Sequence, residues 1–340
     1  MSITNEILRI QGAKSDIKDA IERKGVSVSS SLLIDDYADL IDSIPYEPRL
    51  VIKFNVTSTS EPTPIMDSYQ TPSDLFSAIE IDGVELETMT TSYTFTTTGE
   101  HTVKYTLIDP TCIEDYSFDS CSNVVSVTIP NTVTIIGEGA FGGCTGLSGH
   151  LDIPNTVTSI GSNVFSGCTG INSVVIPSGV TSISDSVFKG CSSLKEVVMQ
   201  HGITSIGTNA FEDCSSLLSI FIPTTVTTIG RNAFNSCTNL TGNITIPESV
   251  TLIEDYAFNN CPLKSVTCVS TTPPTLVKQG GLVSESVHVF GLAGNDSTTP
   301  PPVKPTYPIY VPSESLSAYQ TGAYWSIYNQ EGRIQANPNS

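Results

Sequence analysis

The sequence predicts a mainly β fold: a solenoid of stacked repeats, preceded by a short helical N-terminal module and a small β-sandwich-like domain. Two observations lead there. Phe118, Phe141, Phe165, Phe188, Phe211, Phe234 and Phe258 recur every 23 or 24 residues, and Cys121, Cys144, Cys168, Cys191, Cys214, Cys237 and Cys261 each follow by three. A fixed period of that size marks one supersecondary unit repeated in space. Composition agrees: only 14% of residues are charged and 7% aromatic, and Thr, Ser, Ile, Val and Gly dominate, as in proteins of many short strands and turns.

Residues 1–45 read as helical. Ile3, Ile7, Ile10, Ile17 and Ile21 line one helix face, with Lys14 in the slot between Ile10 and Ile17. Gly25 ends this helix behind Arg23 and Lys24, which suit the negative end of the helix dipole. A second helix, capped by Ser29 to Ser31 and carrying Leu33, Tyr37, Leu40, Ile41 and Ile44, stops before Pro45. Two short amphipathic helices cannot bury their own apolar faces, so the Ile seam is expected to anchor the chain or to make it a homo-oligomer.

Over residues 49–108 the apolar period falls to two. Residues 50–56 form one expected strand, 79–86 a hairpin turning at Asp82-Gly83, and 93–96 is expected to pair with 101–107 across Gly99. A small sandwich-like β domain follows from these strands.

Residues 109–270 hold the repeats. The clearest unit is Leu217-x-x-Ile220-x-Ile222-Pro223-x-x-Val226-Thr227-x-Ile229-Gly230-x-x-Ala233-Phe234-x-x-Cys237-x-x-Leu240, which suits a strand, a second extended segment and a helical or 3₁₀ turn. Each unit buries little alone, and stacked neighbours share one core that needs end caps. From about residue 106 to 270 the pattern resembles the BspA-type (Treponema-like) leucine-rich repeat. The first coil keeps Phe118 and Cys121 but has Ser117 where the others have Ala and lacks the Val-Thr-x-Ile segment, as a capping repeat would. Val164 and Val187 replace Ala, Met199 replaces Ile, and the coils at His150 and Asn243 carry one extra residue.

Residues 271–340 read as a loop and C-terminal cap. Pro, Ser and Gly dominate to about Pro308, and Pro300 to Pro302 suit a loop or polyproline segment. A strand at 309–313 and a helix over 314–327 with Tyr319, Tyr324 and Trp325 follow, similar to the terminal cap of BspA-like arrays.

The formal charge of −19, from 34 acidic and 15 basic side chains, repels a phosphate backbone and leaves no basic stripe, which excludes nucleic-acid binding. No apolar run is long enough to insert in a membrane, and residues 1–7 show neither the basic nor the apolar region of a secretion signal, so synthesis in the cytoplasm is expected. One Cys per coil, within an odd total of nine, predicts free buried thiols; with no CxxC pair, no metal or cofactor is expected. His101, His150, His201 and His288 lie far apart in sequence with no catalytic motif around them, and pairs such as Glu114-Asp115 suit solvated turns, so the chain is not expected to be an enzyme. The ladder Thr134, Thr158, Thr181, Thr204, Thr227 and Thr251 is expected to bond between coils.

The strand register names a candidate site. The residue between the last two core positions of each strand faces outward, giving Thr128, Asp152, Val175, Val198, Phe221, Thr245 and Thr267, flanked by His150, Ser173, Glu196, Ser219 and Asn243. Asp152, Val175, Val198, Phe221, Glu196 and His150 are the candidate ligand-binding residues, an apolar stripe with polar neighbours suited to a protein or a sugar ring. Residues 7–17 and 34–41 resemble N-terminal segments of bacteriophage structural proteins. That resemblance implies a virion fibre protein, anchored to capsid or tail proteins through residues 1–45, with a trimer as one arrangement, whose repeats touch host glycan or surface protein. The repeat family implies an alternative, a bacterial cell-surface adhesin. A phage-borne polysaccharide depolymerase is a third reading and would need a carboxylate-lined groove.

Overall fold

The computed structural model describes residues 49–277, 289–290, 307–322, 324–330 and 332–338. The helical reading of residues 1–45, with its seam of Ile3, Ile7, Ile10, Ile17 and Ile21, lies outside the described residues.

The chain from residue 49 opens with an antiparallel sheet. Arg49–Val56 alternates inward Leu50, Ile52, Phe54 and Val56 with outward Arg49, Val51, Lys53 and Asn55, and Gly99–Leu107 turns His101, Val103, Tyr105 and Leu107 inward in the same way. Gly99–Leu107 lies between Arg49–Val56 and Phe76–Ile81. Phe76–Ile81 turns back into Val84–Glu85 through Asp82 and Gly83, both at positive φ, as a two-residue hairpin turn requires. The pairing expected between 93–96 and 101–107 does not form. Both edges of Gly99–Leu107 are already occupied, and Ser92–Tyr93 pairs with Thr63–Pro64. The fifth strand of the sheet is Val124–Thr128, from the coil that follows Cys121, antiparallel to Arg49–Val56.

From there three kinds of contact tie coil to coil, the first of them interrupted at residues 217–222. Outward strands pair in parallel in two groups: Ser148–Leu151, Gly170–Ile176 and Glu196–Met199, then Asn243–Ile246, Ser265–Cys268, Ile309–Val311 and Ile334–Ala336. Two-residue strands such as Ser182–Ile183, Ser205–Ile206 and Thr228–Ile229 make a second ladder. Turns form the third: the Phe188 and Phe211 amides donate to the Ala210 and Ala233 carbonyls of the following coil. The fold is a β-solenoid of stacked coils with little helix.

The core is an aromatic stack. Consecutive Phe rings from Phe118 to Phe258 lie 5.1–5.8 Å apart and within 12° of parallel. The coil repeat dictates this geometry. Phe290 adds another rung 5.7 Å from Phe258, and the Phe258 amide donates to Val289 just as Phe234 does to Ala257. This rung sits inside the stretch read from sequence as loop. Both ends of the stack are covered: Tyr105 and Phe76 pack on Phe118, and Trp325 and Tyr328 on Phe290. The cap helix expected over 314–327 is divided into Ser313–Ser315, Leu316–Thr321 and Trp325–Gln330, with Tyr324 at φ 64 between the last two. That break lets Tyr319 donate to the Ser270 carbonyl and Trp325 to the Pro274 carbonyl, at 2.8 Å each.

The cysteines and threonines act between coils. The thiols of Cys144, Cys168, Cys191, Cys214, Cys237 and Cys261 each point at the carbonyl of the Phe one coil earlier, at 3.0–3.2 Å. All nine cysteines are free. Burial pushes the Cys121 and Cys168 thiols up to about 12, so they stay protonated and unreactive at neutral pH. Thr158, Thr204 and Thr227 hydroxyls donate to the Thr carbonyl of the coil before.

Candidate functional site

Because the outward strands pair in register, their outward residues form rows. His150 lies beside Ser173, Ser173 beside Glu196, and Val175 beside Val198; farther along, Thr245 lies beside Thr267 and Thr267 beside Tyr310. Phe221 shares this face, since Ile220 and Ile222 on either side of it are buried. The structure therefore places all six predicted ligand-binding residues on one face, in three groups.

His150, Asp152 and Ser173 form the first. His150 Nδ1 is 2.8 Å from Ser173 Oγ, and Nε2 is 3.3 Å from Asp152 Oδ1. These are the residue types of a nucleophilic triad, but the setting is wrong for one. Asp152 is 91% exposed, so water screens it, and the cleft beside His150 holds only about 30 Å³. Backbone amides of paired strands are engaged in the sheet and are not aimed at a developing oxyanion. Among the described residues, no group of three or more His, Cys, Asp or Glu is placed to hold a metal ion.

Val175, Val198 and exposed Glu196 form the second group, a polar-flanked apolar patch in which Val198 is 42% exposed.

Phe221 dominates the third and is 67% exposed. Its coil, residues 217–222, pairs as a strand with neither neighbour, so Glu196–Met199 and Asn243–Ile246 are the facing edges of two separate sheets. A cleft of about 820 Å³ opens beside Phe221, lined also by Ser219, Asn243, Thr245, Glu248 and Val269. Val269, also exposed, extends the apolar rim. Sequence reasoning named Phe221 but missed Val269 and the cleft. The signal was the additional residue before Asn243, which shifts that coil relative to the one before it.

Residues 111–241 and 238–275 match the model of the BspA type leucine rich repeat region, in six copies. These are leucine-rich-repeat coils. Solved structures similar to the chain include a leucine-rich repeat protein from Bacteroides ovatus, 28% identical with a TM-score of 0.40 over 50% of this chain and 51% of that one. A leucine rich cell surface protein from Faecalibacterium prausnitzii is 30% identical, with a TM-score of 0.36 over 49% of this chain and 60% of that one. The T. pallidum leucine rich repeat protein is 31% identical, with a TM-score of 0.32 over 35% and 56%. The chain thus spans 51–60% of the length of these relatives. No curated protein sequence matches it. Among the described residues, no helix is long and apolar enough to cross a membrane.

Proposed function

We propose that this protein is a non-enzymatic, adhesin-like protein of a bacterial surface, which uses the outward face of its leucine-rich-repeat solenoid to hold a surface glycan or protein. The observation that supports this reading is the exposure of Phe221 and Val269 at the cleft, with Val198 exposed on the outward face of the coil before Phe221. Contiguous apolar exposure of this kind marks contact surfaces, because water gains when a partner covers it. The coils beneath are held by the stacked Phe core, by turn-to-turn bonds and by the ladder of two-residue strands, and present these residues without needing to reorganise.

Phe221→Asp tests the reading. The substituted chain should attach to target cells about tenfold more weakly, while an exposed position leaves stability within about 0.5 kcal/mol. Undiminished attachment would remove this face from the function.

The Ile3 to Ile21 seam favours a second reading, in which the same face is borne by a bacteriophage particle through residues 1–45. Capsid, portal or tail genes beside this one would support it; surface-protein genes there would count against it.

A further inference from the structure

The cleft beside Phe221 has a chemical character that narrows what it can take, given that the outward face is an attachment surface. Its apolar elements stand on three consecutive coils: the Phe221 ring, then Pro247 beside Thr245, then Val269. The core rings of these coils, Phe234, Phe258 and Phe290, are spaced 5.1 and 5.7 Å, so Phe221 and Val269 flank the middle coil across roughly two strand spacings, enough for one ring between them. Hydrogen-bonding groups sit at both ends of this slot. Ser219 and Asn243 lie on the strand side, and Thr224, Glu248 and Ser249 on the turn side.

We infer that this slot binds a single uncharged pyranose ring of a larger glycan. A sugar ring has an apolar face of C–H bonds and an equator of hydroxyls, which matches an aromatic wall with polar groups at its ends. An aliphatic ligand would leave the polar ends unpaired at a cost. Electrostatics removes the acidic sugars: among the described residues, Glu248 is the one ionisable group lining the cleft, and the chain carries a formal charge of −19. A carboxylate only accepts hydrogen bonds, which suits sugar hydroxyls and repels uronates and phosphates. The volume of about 820 Å³ falls within the range of about 300–1,000 Å³ usual for small-ligand sites.

Saturation-transfer NMR on the full chain tests this, with the methyl glycosides of glucose, galactose, mannose and N-acetylglucosamine as probes and glucuronate as the charged control. At least one neutral glycoside should receive saturation and glucuronate none. Phe221→Ala should lower affinity about tenfold, the effect of losing one aromatic platform. Thr245→Phe, which fills the slot from an exposed position, should abolish the signal. Silence from all four neutral probes, or signals indifferent to both substitutions, would overturn the inference. So would slow maleimide labelling of a Phe221→Cys variant, which would mean that another part of the chain occupies the slot. Should the glycosides fail while Phe221→Asp still weakens cell attachment, the partner is a protein: the pyranose inference falls and the attachment reading stands. Glycoside binding without any loss of attachment in Phe221→Asp would sink the attachment reading alone.

Discussion

Each coil turns twice through left-handed backbone. Tyr116, Gly139, Asn163, Ser186, Asn209, Asn232 and Tyr256 hold positive φ at one position, and Ser120, Gly143, Gly167, Gly190, Asp213, Ser236 and Asn260 at the other. Three glycines at the second position show what the backbone prefers there, since a side chain in this region crowds the following carbonyl. Ser236, at φ 60, bears that strain, and its amide bond to the Asn259 carbonyl survives loss of the side chain. Ser236→Gly should therefore stabilise the protein by about 0.5–1 kcal/mol, the left-handed penalty less the greater entropy of glycine in the unfolded chain. Thermal melting followed by circular dichroism reads the gain as a rise of about 2 °C. Asn209→Gly is the contrasting case. Asparagine tolerates this backbone, and Asn209 Oδ1 accepts a 3.0 Å bond from the next coil's Asn232, so its removal should lower the melting temperature. A fall for Ser236→Gly would show that something other than strain governs the turn.

At the scale of elements, the N-terminal sheet is held on its outer face by charge. Glu80 takes hydrogen bonds from Lys104 at 2.6 Å and Arg49 at 2.5 Å, each reaching across from another strand. The Lys104 hydrogen bond, chiefly, holds the Glu80 carboxyl below its ordinary 4.5, against the opposing effect of burial and with help from the charges of Lys104 and Arg49. Its folded-state affinity for protons is thus depressed, so the stabilisation is complete above pH 4.5 and disappears as pH falls through the lower, folded value. Glu80→Gln should cost about 1 kcal/mol at neutral pH. Its stability curve should converge on the parent curve in acid, measured by urea unfolding at a series of pH values. A constant offset at every pH would mean that packing, and not charge, is what Glu80 provides. The same sheet shows where sequence reading stops. Alternation of apolar residues made the strands at 50–56 and 101–107 legible, and the Phe–Cys period made the coils legible, because burial imposes both patterns. Strand partners are another matter: Val124–Thr128 joins the sheet and residues 93–96 do not, and only which edges are free in space decides that. The Phe290 rung escaped notice because its spacing from Phe258 is 32 residues, not 23 or 24. Coil 217–222 is the most regular in sequence and still pairs as a strand with neither neighbour; the additional residue before Asn243 bears only on the side facing Asn243–Ile246.

For the whole molecule, stacking makes stability a matter of neighbours. Phe188 has rings 5.7 Å and 5.6 Å away on its two sides, and both must lose contact if it is removed. Trp325 closes one end: it packs on Phe290 and Tyr319, and its indole nitrogen is bonded to the Pro274 carbonyl. Both substitutions to alanine should cost about 3–5 kcal/mol in local contacts, yet their consequences should differ in space. A solenoid transmits stability only from coil to adjacent coil, so a break at the centre leaves two capped halves and a break at the cap exposes one end. Hydrogen exchange separates these outcomes. Trp325→Ala should strip protection from the amides of Phe258 and Val266 while Phe118 and Phe141 keep theirs. Phe188→Ala should weaken Phe165, Phe188 and Phe211 most, with both ends retaining protection through the Tyr105–Phe118 and Phe290–Trp325 contacts. Equal loss at every rung in either variant would mean that the coils unfold as a single cooperative body, and the nearest-neighbour account of this core would have to be abandoned.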